Sequence, residues 1–233
     1  MVWTDLWPVG FETSSKGWTE QLRPGISVLI DDTGEEASHW LSALAGSALP
    51  GRGRVQCAGL CSQVDSSAYQ AQVYWHNPRA HTQSGELSAQ QWVQQVASRW
   101  PTWSDAAWHR HCEGFELGPH MDKPLWHLST GSLRKLGIAA AFSSGARLTM
   151  IEEPIGALDS ASIRYLCKAL DAMGEELAEK PQAPRWVMVS HWEPLSGVTW
   201  DEVLAPPSLA SVAAQTAHVL AQAQAQPVQQ ELL

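Results

Sequence analysis

The sequence has little cysteine, no long apolar run and no surplus of positive charge, and each shortage excludes something. The four cysteines, Cys57, Cys61, Cys112 and Cys167, match neither a disulfide framework nor the paired CxxC spacing of a zinc ribbon. They read as free thiols packed as small hydrophobes in a reducing compartment. No stretch approaches the roughly 18 apolar residues of a membrane helix; the densest, 136–142, is far too short. Lys and Arg total 15 against 24 Asp and Glu, a net charge of −9, which argues against the basic footprint that nucleic-acid binding needs. The opening MVWTDLWPVG has neither a basic nor an apolar region of the secretory kind, so a cytoplasmic protein is expected. There is no internal repeat. What remains is a globular composition, 44% apolar and 17% charged over 233 residues, enough for one large domain or two small ones. The 13 tryptophans read as large buried anchors.

Strand-like and helix-like pieces alternate, which favours an α/β fold with a mostly parallel sheet. Strands are predicted at 26–30, 54–57, 71–75, 148–151 and 186–189, and helices at 35–44, 88–100, 104–112, 130–142 and 160–179. The last carries Ile163, Leu166, Cys167, Leu170, Met173 and Leu177 on one face at helical spacing. Beyond Pro206 the chain becomes rich in Ala and Gln, good helix formers, and a helix over 209–223 is predicted as a spacer or docking element.

In open α/β sheets ligands sit beyond the carboxyl ends of the strands. Glu152 and Glu153 stand at one such end and His191 at another, while 33–38 connects a third strand to a helix. LSTGSLRKLGIAAAF (128–142), LTMIEEPIGALD (148–159) and VMVSHWEP (187–194), in this order and at these spacings, resemble the signature motif, the Walker B strand with its D-loop, and the switch-histidine segment of the ATP-binding-cassette (ABC) ATPases. The resemblance covers about residues 20 to 200. It implies a P-loop NTPase (RecA-like) α/β core with a helical subdomain at about 80–145, the whole forming a nucleotide-binding domain over 1–205 with 206–233 as a tail.

It also implies roles. Glu153 polarises the attacking water and His191 contacts the γ-phosphate. Gly34, Ser38 and Asp159 belong to the nucleotide site, and Ser38 with Glu152 holds Mg²⁺. Ser129 and Gly131 close on a partner's nucleotide. The implied cofactors are ATP and Mg²⁺. The implied partners are another such domain, in a homo- or heterodimer, and a membrane-spanning transporter subunit that would hold the chain at the inner membrane.

The sequence departs from the family at its phosphate loop. Where G-x-x-x-x-G-K-[ST] cradles phosphate with glycine amides, a lysine and a hydroxyl, this chain reads Asp31-Asp32-Thr33-Gly34-Glu35-Glu36-Ala37-Ser38. Thr33 and Glu36 have capping-box spacing, and acids at the first turn complement the helix end in place of a phosphate. Each like-charge pair with a nucleotide costs about 2 kcal/mol at roughly 6–8 Å and an effective dielectric of 20. Mg–ATP is therefore expected to bind this loop more weakly than about 1 mM. Glu152 stands where the family has Asp, one methylene or about 1.5 Å longer, and the family's loop glutamine corresponds to Trp75 or His76.

Three readings follow: a degenerate subunit that completes a partner's ATP site, a scaffold or regulatory homodimer that binds no nucleotide, and an active ATPase with an unorthodox loop. Among His109, His111, Cys112, His120 and His127 there is no CxxC or HxxxH pair, which favours surface or packing histidines over metal binding. Arg134 and Lys135 read equally as a solvated face or as a basic pair near a γ-phosphate.

Overall fold

The segments LTMIE and WVMVSH are too uniformly apolar for a strand with one wet face, and both become central strands buried on both sides. The computed structural model describes residues 1–13, 15–31, 34, 36–79 and 86–209. In chain order it forms β1 (Val2–Trp7), β2 (Trp18–Gln21), β3 (Gly25–Ile30), α1 (Ala37–Ala45), β4 (Arg52–Cys57), β5 (Leu60–Cys61), α2 (Ser66–Gln70), β6 (Val73–His76), α3 (Ala89–Ser98), α4 (Asp105–Gly114), α5 (Thr130–Ser143), β7 (Leu148–Glu152), α6 (Ser160–Glu179), β8 (Trp186–His191) and β9 (Glu202–Leu204). Two short 3₁₀ turns, Gly118–His120 and Leu125–His127, lie between α4 and α5.

The strands make two sheets. β6-β7-β8-β3-β9 is parallel throughout, and β2-β1-β4-β5 is antiparallel. The period of two along the parallel strands divides the core. Leu148 and Met150 of β7, with Trp186 and Met188 of β8, join α1 and the antiparallel sheet. Ile151, Val187 and Val189 face the opposite way, toward α5 and α6, whose predicted stripe through Leu166, Leu170, Met173 and Leu177 they meet.

Four tryptophans bind the antiparallel sheet to α1. Trp40 of α1 lies 5.2 Å from Trp18 of β2 and 6.0 Å from Trp7 of β1, and Trp18 lies 4.7 Å from Trp3. Strict alternation would send Leu6 and Trp7 to opposite faces, yet both are buried with Trp3. The strand is irregular here: Asp5 has φ 52°, and the register of β1 shifts against both neighbours, the mark of a bulge. The Asp5 carboxylate accepts from Gly17 N (2.6 Å) and Arg52 Nη2 (2.7 Å), fixing the bulge.

The sequence reading placed α1 at 35–44 and a strand at 71–75. The structure starts α1 at Ala37 and ends it at Gly46, whose φ of 68° only glycine adopts cheaply. It inserts the short α2 before β6. Strands β1, β2, β5 and β9 were not expected. The predicted 209–223 helix lies outside the described residues except at Leu209, which is buried against the first core.

His111 on α4 is 3% exposed, 5.1 Å from the Phe142 ring, with Nδ1 2.9 Å from the Tyr165 hydroxyl. Burial, helped by the Arg110 charge, pushes its pKa from the usual 6.5 down to about 4. Between those values the unfolded chain binds a proton that the folded chain refuses, so stability rises with pH and is lost as pH falls from 6.5 through 4. The contribution at stake is up to about 3 kcal/mol. His111→Gln is expected to flatten the pH dependence of urea-unfolding midpoints in this window; an unchanged slope would remove His111 as its source.

Candidate functional site

The carboxyl ends of β3, β7 and β8 lie side by side and bring Asp31, Glu152, Glu153 and His191 to one edge of the sheet. With Gly34 and Ala37 they line a cavity of about 430 Å³, which Trp192, 60% exposed, borders on the open side.

At the start of α1 the backbone N–H groups point toward this space, as helix starts do. Two are already bonded. Asp31 Oδ1 accepts from Gly34 N at 3.0 Å and Oδ2 from Ala37 N at 2.8 Å. A carboxylate of the chain itself thus occupies donors of the kind that hold phosphate at a helix N-terminus. Thr33 lies outside the described residues, so the Thr33 half of the capping pattern is not described. Glu36 accepts from Ser208 Oγ (3.1 Å) and Leu209 N (2.7 Å), tying the C-terminal segment to α1.

Ser38 Oγ donates directly to Glu152 Oε1. Glu152 is 1% exposed, and its other oxygen has no partner among the described residues. Desolvation raises its pKa above the ordinary carboxylate value, the Ser38 hydrogen bond opposing the shift.

Glu153, at φ 47°, is a non-glycine residue in the left-handed region, a strained conformation typical of functional sites. Its amide bonds Ser190 O at 3.1 Å and its carbonyl accepts from Arg134 Nη1. His191 Nδ1 is 2.8 Å from Glu193 O, the ring stacks 4.4 Å from Trp192, and Nε2 has no partner among the described residues.

Sequence reasoning missed the residue that spans this site. Arg79, in the segment after β6, sends Nη2 to Gly34 O (2.6 Å) and to the Glu153 carboxylate, and Nη1 to Ser38 Oγ (3.4 Å). Glu152 Oε1 lies 3.8 Å from Nη1. One guanidinium therefore links the loop before α1 to both acids of the β7 end. Nothing in the local sequence marks it, because its partners lie 41 to 74 positions away along the chain.

Gly34, Ser38, Glu152, Glu153 and His191 are brought together. Ser129, Gly131 and Asp159 do not line this cavity. Ser129 caps α5, accepting from Ser132 N at 3.1 Å. Asp159 caps α6 through Ser162 N (2.8 Å) and pairs with Lys135 Nζ (2.8 Å). That ion pair and cap hold the Asp159 carboxyl well below the usual range.

Gly131 is buried, and a Cβ there would stand 2.3 Å from Ala157 O. Gly131→Ala is accordingly expected to cost about 1–3 kcal/mol of stability. Urea unfolding tests it, and an unchanged midpoint would mean the Ala157 turn yields freely. Trp75 and His76, the positions of the family's glutamine, line a second cavity and not this one. Arg134 is neither a solvated face nor free at the surface: it is 8% exposed. Among the described residues no group of three His, Cys, Asp or Glu is placed to hold a metal ion, and no helix is long and apolar enough to cross a membrane.

No protein-family description matches the sequence, and no curated protein is similar to it. The fold has close counterparts. The chain is similar to a protein of Pyrococcus furiosus described as an ABC transporter ATP-binding protein, with TM-score 0.69 and 16% identity over 88% of this chain and 96% of that one. It is also similar to CbiO1 of Clostridium perfringens, described as part of the ABC transporter complex CbiONQ, with TM-score 0.64 and 17% identity over 97% and 95%. A third is a dimeric ATP-binding cassette in a post-hydrolysis state bound to ADP and Pi, with TM-score 0.63 and 14% identity over 82% and 87%. The chain therefore has the P-loop NTPase α/β fold of ABC-type ATP-binding domains.

Proposed function

We propose that this chain is a degenerate ATP-binding subunit of an ABC-transporter-like complex, one that does not hydrolyse ATP in its own cavity and pairs with another ATP-binding domain. The observation that carries this reading is that the cavity is filled chemically from within. The Asp31 carboxylate takes the Gly34 and Ala37 amides, and Arg79 bridges Gly34, Ser38 and Glu153. Ser38 and Glu152, which would hold Mg²⁺, hold each other. This donor set does not fit a magnesium nucleotide, because phosphate would have to displace a carboxylate bonded to the same amides. Acids near the phosphate position add repulsion.

On this reading residues 1–205 form the nucleotide-binding domain, with α3, α4 and α5 as its helical subdomain. In such a pair Ser129, exposed at the start of α5, faces the partner's nucleotide, with Gly131 as the close-packed residue behind it. The fold's counterparts include a dimer and a subunit of a transporter complex, which supports pairing with another such domain and attachment to a membrane-spanning subunit from the cytoplasmic side. A scaffold role without any nucleotide would use the same self-filled cavity and differs only in the partner.

Phosphate release by the purified chain in millimolar Mg–ATP tests the proposal. The expected rate is that of buffer, with no change in Glu153→Gln. Turnover by the wild type that Glu153→Gln abolishes would establish a working ATPase instead.

A further inference from the structure

A second cavity, of about 280 Å³, opens between β6, α3 and α5. Its volume falls just below the roughly 300–1,000 Å³ of ligand clefts that take drug-sized molecules, so only a small ligand fits. The Tyr74 ring, Trp92, Leu125 and Leu133 supply apolar walls, and Thr130, His76, Asn77, Arg134 and the Tyr74 hydroxyl supply polar atoms.

Arg134 is the unusual member. Its side chain is more than nine-tenths buried, and a buried cation is stable only when paired. Among the described residues it forms no ion pair: the Glu153 carboxylate is taken by Arg79, and Arg134 reaches only the Glu153 backbone carbonyl. Of the five N–H donors of a guanidinium, this one bond is the sole hydrogen bond it makes to a described residue, and Nε is buried without a partner. His76 Nε2, in the same lining, is likewise buried and unpartnered. Desolvation and the Arg134 charge hold His76 neutral, with its pKa near 4, so the cavity presents a single positive charge. A mostly apolar chamber whose one cation has no ion-pair partner among the described residues, with the hydroxyls of Thr130 and Tyr74, fits a monoanion with an apolar body, not a polyphosphate, for which several donors and charges converge.

We infer that this cavity binds a small monocarboxylate with an aromatic or branched apolar body, its carboxylate on Arg134 and Thr130 and its body against Trp92, Tyr74 and Leu125. The site stands independently of the nucleotide reading, since none of its walls is a residue of the acidic cavity.

The test uses the full chain with phenylacetate as probe and phenylacetamide as its neutral isostere, read by calorimetry and by saturation-transfer NMR. Phenylacetate is expected to bind saturably, and phenylacetamide to bind about ten- to a hundredfold more weakly, the loss of one charge-assisted pairing. Arg134→Gln is expected to bring the two ligands to equal, weak affinity. Trp92→Ala is expected to weaken phenylacetate about tenfold or more by removing the apolar wall. Equal affinity of the wild type for acid and amide, or no saturable binding of phenylacetate in the millimolar range, overturns the inference. The acid–amide comparison on the wild type decides it even if Arg134→Gln fails to fold.

Discussion

Replacing Asp31 by Gly and Ala37 by Lys is expected to raise the affinity for Mg–ATP at least a hundredfold over the wild type. Two terms set the size. Removing the Asp31 charge and adding a lysine each change the interaction with a nucleotide phosphate by about 2 kcal/mol at roughly 6–8 Å and an effective dielectric of 20. If independent, they total about 4 kcal/mol, close to a thousandfold; neighbouring substitutions rarely add in full, which lowers the expectation to about a hundredfold. The geometry favours the exchange. Asp31 is the group that occupies Gly34 N and Ala37 N, so its loss frees both donors, and Ala37 lines the cavity, giving a lysine room to enter it. A fluorescent ATP analogue titrated with Mg²⁺ makes the measurement. Wild-type binding in the micromolar range, or a double variant no tighter than wild type, would refute the idea that the chain's own carboxylate excludes nucleotide.

Trp40→Ala is expected to remove about 3–5 kcal/mol of stability, the range for deleting a large buried aromatic. That is a large share of the roughly 5–15 kcal/mol available to a domain. Trp40 is fully buried and joins Trp7 and Trp18, so it holds the antiparallel sheet to α1 from the middle of the first core. Its indole N–H has no partner among the described residues. Trp40→Phe therefore discards no hydrogen bond to those residues and is expected to cost distinctly less than Trp40→Ala. Urea unfolding with an unchanged slope and a shifted midpoint is the readout. A loss below about 1 kcal/mol for Trp40→Ala would show that the site collapses without penalty and that the tryptophan cluster is not what fastens the two sheets.

Much of the fold could be read from the sequence because its signals are local. The buried strands read at 26–30, 148–151 and 186–189 are short apolar runs followed by polar residues. The α6 stripe repeats at helical spacing, and Ser129 and Asp159 cap the helices that follow them. Those elements, with the signature-like and Walker B-like segments in order, were enough to identify the α/β class and to name Glu152, Glu153 and His191. The antiparallel sheet was not legible. In β1 the bulge at Asp5 breaks the alternation that would reveal a strand, while β2 exposes three of its four residues and β9 has only three.

The chemistry of the site was decided by tertiary structure. Aligned to a phosphate loop, the sequence showed acids in place of glycines and lysine, but not that Asp31 folds back onto the Gly34 and Ala37 amides. Ser38 and Glu152 meet across 114 residues and Arg79 and Glu153 across 74, pairings made only when parallel strands bring their carboxyl ends together. Local sequence fixes which residues can form a strand, a cap or a turn. Which charge faces which depends on the order of strands in the sheet, and no short window of the chain carries that order.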